Sequence, residues 1–582
     1  MQVKVLVHKD SSEYKFYIEE GHCIAEELKK NGLMRFPCSR GKCGKCRIYA
    51  NTIPCDEEIE LLGSCNIESG MRLACYTMAK QGLVVTIPKE LELKVLTSIV
   101  QRPYPYLPIV AEEKIAIEQP NVDDQRSDVR RLLDGAKCKK HSLSLDKLSI
   151  LPNFIRSYDE AFVYLRSKTI YNYAATSIYY AITIDIGTTT ISAHLTDLRT
   201  KEILAEHGEP NNQASYGADV ISRIQYDMEW RSKKYDGSSP LQHLILEQLN
   251  KIIKLFLVKF DLDDVAVISI AGNTTMLHLL CGLPTEHIGK VPFTPVILLD
   301  PEFKAKELGL CSEAPVFLLP SISSYVGADI VAAMLAAEVW KCHEPFLLID
   351  IGTNAETILG YKGKFYACSA AAGPCFEGAT IQCGVAGQEG AIDNVFFDEK
   401  RGLRYSTIGT APPIGICGSG VLSIIELLLS HNLMDESGYI CYDEKNPLSK
   451  HIKDDAFYLT DTIFLSQRDI REVQMAKAAV RAGIDSLLLY AGLEEKEINK
   501  LFIAGGFGSV ISPKCAARIG LFPAHLEEKV ISLRNAASMG ALRYITEKGA
   551  KKKAEDIRSN TKYIELSCDN NFTNFYIDRM QF

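Results

Sequence analysis

The chain has 582 residues, 47% apolar and 24% charged, the composition of a globular protein with room for about three domains. Its formal charge of −8 is spread without a long acidic or basic block, which argues against nucleic acid or a membrane surface as partner. No run approaches the roughly 20 apolar residues of a membrane span, and residues 1–8 alternate rather than forming a signal peptide, so a cytoplasmic setting is expected.

Residues 3–8 and 14–18 alternate apolar and polar around the turn formers Asp10, Ser11 and Ser12, which predicts a hairpin. A helix is expected over 24–30, stopped by Asn31 and Gly32. Next comes the run Cys38-Ser-Arg-Gly-Lys-Cys43-Gly-Lys-Cys46, completed after a gap by Cys75. A strand over 47–50, a short helix over 57–62 and a last strand over 83–88 follow.

The spacing C-x4-C-x2-C and a distant fourth cysteine is that of a plant-type [2Fe-2S] cluster. Gly41 and Gly44 let backbone N–H groups approach the sulfurs, where they stabilise the reduced state. A structural zinc site is the alternative, but such sites usually show two close cysteine pairs and Cys75 stands alone. The loop is basic through Arg40, Lys42, Lys45 and Arg47, a candidate docking edge or plain solvated surface. Of the 18 cysteines, Cys281, Cys368, Cys375, Cys383 and Cys417 sit among small and apolar residues and are expected to be buried. With Arg72-Leu-Ala-Cys75 included, the segment resembles the plant-type ferredoxin family, which implies a β-grasp domain over about residues 1–92.

Residues 93–110 read as a linker, extended and semi-rigid where Pro103, Pro105 and Pro108 follow in close succession. Residues 111–176 read as a small middle α/β domain without detectable chemistry. In it, 123–133 is charged enough for an exposed helix, and 159–165 and 170–173 are too short to classify.

From Tyr180 an apolar strand meets Asp185 and then Gly187, Thr188, Thr189 and Thr190, with 191–196 returning as a strand. The same construction recurs from Phe346, with Asp350 followed by Gly352, Thr353 and Asn354. Glycine permits close backbone approach, the N–H groups and hydroxyls of such turns bind phosphate oxygens, and each Asp can hold the water shell of Mg2+. A third element, Gly505-Gly506-Phe507, follows the apolar strand 500–503 and suits backbone lying against a flat ring such as adenine. The lysine pattern of a P-loop is missing from the chain.

These elements, in this order, resemble the superfamily of acetate and sugar kinases, the heat-shock chaperone ATPase and actin. The resemblance implies a multidomain α+β and α/β protein whose residues 177–582 form two ribonuclease-H-like halves with ATP between them. It places Asp185 and Asp350 in the two phosphate motifs, Gly505, Gly506 and Phe507 in the adenosine motif, and Gly418, Ser419 and Gly420 in the connecting segment. Four further stretches, 211–223, 271–276, 371–378 and 466–472, resemble the reductive activators of corrinoid proteins and add Asp219 and Asn273 as candidates. Ala355 stands where that family is expected to have Gly, and its methyl is expected to narrow the second turn. This resemblance implies an ATP-dependent one-electron reduction of inactive Co(II) corrinoid to Co(I) in a methyltransferase system. The cofactors would be a [2Fe-2S] cluster, ATP and Mg2+; the partners a corrinoid protein, an upstream electron donor and a second copy of the chain in a homodimer. Two other classes fit the residues: a small-molecule kinase with an accessory iron–sulfur domain, and a redox-sensing, ATP-dependent binding protein.

Overall fold

The computed structural model describes residues 2–9, 12–31, 33–34, 46–62, 67, 70–87, 97–99, 102–233, 239–508 and 511–582. Cys38, Cys43, Gly41, Gly44 and the basic Arg40, Lys42 and Lys45 lie outside them. The amino-terminal alternation folds as expected. Gln2–Lys9 and Ser12–Glu19 form an antiparallel hairpin, with Val3, Val5 and Val7 buried and their neighbours turned outward. The sheet runs Ser12–Glu19, Gln2–Lys9, Val84–Ile87, Arg47–Ala50, Met71–Leu73, with a parallel central pair and the helix Ile24–Lys30 burying Ile24 and Leu28. That is the order of a β-grasp domain.

The proline segment is extended and also tied down. Leu107 and Ile109 donate to the carbonyls of Thr546 and Ile545, Lys548 donates back to Pro105, and Arg543 covers the ring of Tyr104. Beyond it, Ala111–Ala116, Glu160–Arg166, Thr169–Ala174 and Lys140–His141 make a four-stranded sheet, which resolves the two short stretches as strands. The charged helix, Asp128–Gly135, is amphipathic rather than exposed: it buries Leu132, Leu133 and the Arg131 guanidinium, which Asp124 pairs at 2.7 Å.

The repeat in the sequence is a repeat in space. Tyr180–Ile186, Thr190–Asp197 and Ile203–Pro210 run antiparallel, and Tyr180–Ile186 also pairs in parallel with Val267–Gly272. Phe346–Ile351, Ala355–Tyr361 and Lys364–Ala370 repeat the three antiparallel strands, and Lys500–Ala504 takes the parallel place. Each set belongs to a six-stranded sheet. Between the sheets lie two crossing helices, Ala328–Ala336 and Ala536–Thr546, within one core that takes Ile182 and Ile270 from the first sheet and Leu348 and Phe502 from the second. This corrects the expected connecting segment. Gly418–Ser430 does open a helix at Gly418, but it packs inside the second half, where a side chain on Gly420 would strike the Ile392 carbonyl at 2.2 Å. Cys368, Cys375, Cys383 and Cys417 are buried as expected, and Cys281 packs partly against the first core. Among the described residues no helix is long and apolar enough to cross a membrane.

The crossing depends on Gly540, where an added Cβ would stand 1.9 Å from the Ala332 carbonyl oxygen. Gly540→Val is expected to destabilise the two-half unit by at least the about 1–3 kcal/mol typical of an overpacked core. Calorimetry of the full chain should show its transition lowered; an unchanged midpoint would mean that the two helices separate without loss.

Candidate active site

The two phosphate turns sit at equivalent strand ends. Asp185 lies opposite Ser192 on the antiparallel neighbour and Ala271 on the parallel one; Asp350 lies opposite Glu356 and Ala504. The first turn is closed by the Gly187 N–H donating to the Thr190 carbonyl at 2.9 Å, and a Cβ on Gly187 would meet that same oxygen at 2.7 Å. Its other carbonyls are drawn back into the protein. Asn211 Nδ2 donates to Gly187 O at 2.8 Å, buried Arg223 donates to Thr188 O at 2.5 Å, and the Asn211 N–H donates to Thr189 O at 2.9 Å. Carbonyl oxygens would repel phosphate; tying these back leaves the turn's N–H groups and hydroxyls to meet an anion.

The corrinoid-activator stretches therefore act as supports. Asn273 caps the helix Thr274–Leu280 through Met276 N and donates to Thr188 Oγ1 at 3.0 Å. Asp219 accepts from Ser222 N at 2.8 Å at the start of Val220–Lys233, next to Arg223, in a helix-capping role. Ser466 and Asp469 form the capping box of the long helix Gln467–Ala491. In the second turn the Gly352 N–H donates to Asn354 O at 2.9 Å. Ala355 is fully buried in the core beneath, so its methyl packs among Leu347, Ile349 and Ile351 rather than narrowing the turn. Gly505 has φ +84°, and a Cβ there would come 2.3 Å from Asp350 Oδ1, so glycine is what lets the chain leave strand Lys500–Ala504 over the carboxylate. Gly506 is exposed beside it, and the side chain of Phe507 lies outside the described residues.

Three carboxylates join the paired Asp residues that the sequence singled out. Asp329, in the first turn of Ala328–Ala336, and Glu356 are half-buried with Asp185 and Asp350 and repel them. Burial first, and then the neighbouring Asp329, pushes Asp350 up to about 7, while burial holds Asp329 at about 6. Burial followed by the charges of Asp329 and Asp350 holds both Asp185 and Glu356 well above the carboxylate range. Glu377 lies between the turns, with its carboxylate 3.4 Å from Thr189 Oγ1 of the first and 3.5 Å from Thr353 Oγ1 of the second. Isolated Asp and Glu residues carry no spacing signal; the one hint is that Glu377 falls inside the stretch 371–378. Among the described residues no three candidate ligands enclose a metal directly. The paired Asp carboxylates at the strand ends fit Mg2+, which keeps several waters and binds through one or two carboxylates and the phosphates of its substrate.

At the other site the strand register does the assembly. Arg47 pairs with Leu73, so Cys46 just before one strand and Cys75 just after the other come together, with Sγ atoms 3.1 Å apart. The Cys75 N–H donates to Cys46 Sγ at 3.4 Å, and the Cys23 thiol donates to the carbonyls of Ala74 and Cys75. Two cysteine sulfurs side by side, one of them receiving a backbone N–H, fit two ligands of a single iron.

The carboxylate cluster sets a pH dependence. The folded-state values of Asp329 and Asp350 lie above their unfolded ones, so without a cation the folded cleft is least penalised below about pH 4 and is increasingly penalised as pH rises through about 6 and about 7. Thermal unfolding in chelator should therefore show the midpoint of the nucleotide unit held down at alkaline pH, and Mg2+ should raise it more at pH 8 than at pH 5.5. An equal effect of Mg2+ at both values would remove these carboxylates from the cation site.

Residues 344–582 match the family described as the C-terminal domain of RACo, the ASKHA domain, and residues 180–341 match the RACo middle region. The corrinoid activation enzyme RamQ of Eubacterium limosum is 30% identical over 451 residues, 74% of this chain and 75% of that protein. A Co(II) methylated amine-specific corrinoid protein reductase of Methanosarcina barkeri is 24% identical over 441 residues, 69% of this chain and 77% of that protein. Among solved structures, a reductive activator for corrinoid, iron–sulfur protein superposes with a TM-score of 0.72 at 28% identity, covering 100% of this chain and 98% of that one. With two equivalent glycine-threonine turns facing one cleft and its likeness to these proteins running nearly end to end, the chain belongs to the family of reductive activators of corrinoid proteins.

Proposed function

We propose that this protein reductively activates a corrinoid protein at the expense of ATP, passing one electron to inactive Co(II) so that it becomes Co(I). The observation that carries this is the presence, on one chain of that family, of a nucleotide cleft spanned by Glu377 and the adjacent sulfurs of Cys46 and Cys75. Gly187, Thr188, Thr189 and Thr190 receive one end of the triphosphate, and Gly352, Thr353 and Asn354 the other. Asp185 and Asp350, with Asp329 and Glu356 behind them, hold the water shell of Mg2+, and Glu377 orients the attacking water. Gly505, Gly506 and Phe507 meet the adenosine, and Gly418, Ser419 and Gly420 start the helix packed against the turn Pro374–Glu377 that carries Glu377.

Cys38, Cys43, Cys46 and Cys75 hold the cluster in this reading, and when bound it supplies a one-electron donor near about −400 mV. The corrinoid couple of this family lies lower, and for one electron each 59 mV is about 1.4 kcal/mol. A gap of a few hundred millivolts is therefore a handful of kcal/mol, within reach of differential binding on closure of the cleft around ATP. An upstream low-potential donor returns the electron to the cysteine site. A homodimer and a cytoplasmic setting complete the proposal.

Absorbance of a corrinoid protein incubated with this chain, reductant and Mg-ATP is expected to move from the Co(II) to the Co(I) spectrum. An equal Co(I) yield without nucleotide would sink the proposal. Cys75→Ser should abolish both visible cluster absorbance and Co(I) formation while nucleotide still binds. Glu377→Gln should keep nucleotide binding and lose hydrolysis by about 100-fold or more, the scale of a positioned acid–base group.

A further inference from the structure

Among the described residues the cysteine-rich domain touches both nucleotide halves. Arg47, next to Cys46, donates from Nη2 to the carbonyl of Gln382 at 2.5 Å. Lys29, in the last turn of Ile24–Lys30, places its ammonium 5.7 Å from the centre of the Tyr216 ring, a cation–π distance. Both recipients belong to segments that support a phosphate turn. Tyr216 lies between Asn211 and Arg223, whose donors hold the carbonyls of Gly187, Thr188 and Thr189. Gln382 lies five residues beyond Glu377, which touches the threonines of both turns, and its own N–H is held at 2.8 Å by Asp469, the buried cap of Gln467–Ala491. The cysteine-rich domain thus stands across the cleft with a foothold on either side.

We propose that the cysteine-rich domain is clamped across the nucleotide cleft through Arg47–Gln382 and Lys29–Tyr216, and that a magnesium nucleotide, by drawing the halves together, shifts the domain on these footholds. A rigid body resting on two jaws cannot keep both contacts unchanged when the jaws move. Because Arg47 adjoins Cys46, the shift reaches the cysteine site itself. Linkage makes the effect reciprocal: whatever factor the nucleotide applies to the docking, the docking applies to the affinity for nucleotide. The inference rests on the nucleotide reading of the cleft.

The test uses the full chain carrying its chromophore, as wild type, Arg47→Ala and Lys29→Ala. Neither residue is a cysteine or part of a phosphate turn, and visible absorbance reports whether each variant still holds the cluster. Calorimetric titration with Mg-AMPPNP is expected to give affinities that differ from wild type by about fivefold or more, in the same direction for both variants, the lower range of allosteric coupling. Hydrogen exchange over residues 24–30 and 46–50 should change on adding the nucleotide to wild type and change less in the variants. Wild-type affinities in both variants, with exchange in both segments unmoved by bound nucleotide, would overturn the clamp. A wild type that binds no magnesium nucleotide would overturn the cleft reading, and this inference with it.

Discussion

Like charges brought together in a cleft are what the nucleotide half of this molecule is arranged around. Asp185, Asp329, Asp350 and Glu356 arrive from three strands and a helix; each is made harder to ionise by its withdrawal from water, and Asp185, Asp350 and Glu356 also by the charge of Asp329. Nothing in the packing of hydrophobic cores asks for such an arrangement; a bound cation does. The duplication of the sheet explains how it is reached. Each half ends its first strand in an Asp followed by a tight turn, and the two crossing helices bring these strand ends toward each other. Gly540 belongs to the same design, because only a backbone without a Cβ lets Ala536–Thr546 lie against Ala332.

Much of this is legible along the chain where chemistry has a spacing. The repeated Asp-Ile-Gly-Thr turns announce two equivalent strand ends because glycine and hydroxyl residues recur at fixed offsets after an apolar strand. The hairpin, first helix and closing strand of the amino-terminal domain follow from alternation and turn formers. Asp329 is hidden because one carboxylate at the start of an alanine-rich helix looks like an ordinary favourable charge near a helix N-terminus. Glu377 is hidden because its importance is a distance to two threonines far away in sequence. The misplaced connecting segment has a similar cause. Gly418, Ser419 and Gly420 stand out as a motif, while the true crossing is made by alanines and one glycine whose partner is visible only in three dimensions.

The supports of the first turn show how a motif's neighbours earn their places. Arg223 is fully buried, and burial lowers its pKa to about 10, yet its guanidinium has backbone oxygens to donate to at Gly217 and Thr188. A buried cation held by carbonyls is expensive unless its geometry is met. Here it fixes the turn and adds positive potential close to where phosphate would lie. Asn211 does the rest with one side-chain and one backbone N–H, so the stretch 211–223 is best understood as the back wall of the first phosphate site.

The footholds of the cysteine-rich domain raise a question of scale. A hydrogen bond from a charged donor contributes about 1.5–3 kcal/mol and a partly exposed cation–π contact about 0.5–1 kcal/mol. Contacts of this size hold a domain in register and can still be exchanged by a ligand whose binding differs between open and closed clefts by a few kcal/mol. A broad apolar interface in the same place would fix the domain regardless of nucleotide, and a bare tether would leave it indifferent. The polar contacts Arg47–Gln382 and Lys29–Tyr216 are of the size that sits between these limits. In the proposed reduction the same few kcal/mol would separate a donor near about −400 mV from a lower acceptor, so the energy to move the electron and the energy to move its carrier would be of one order.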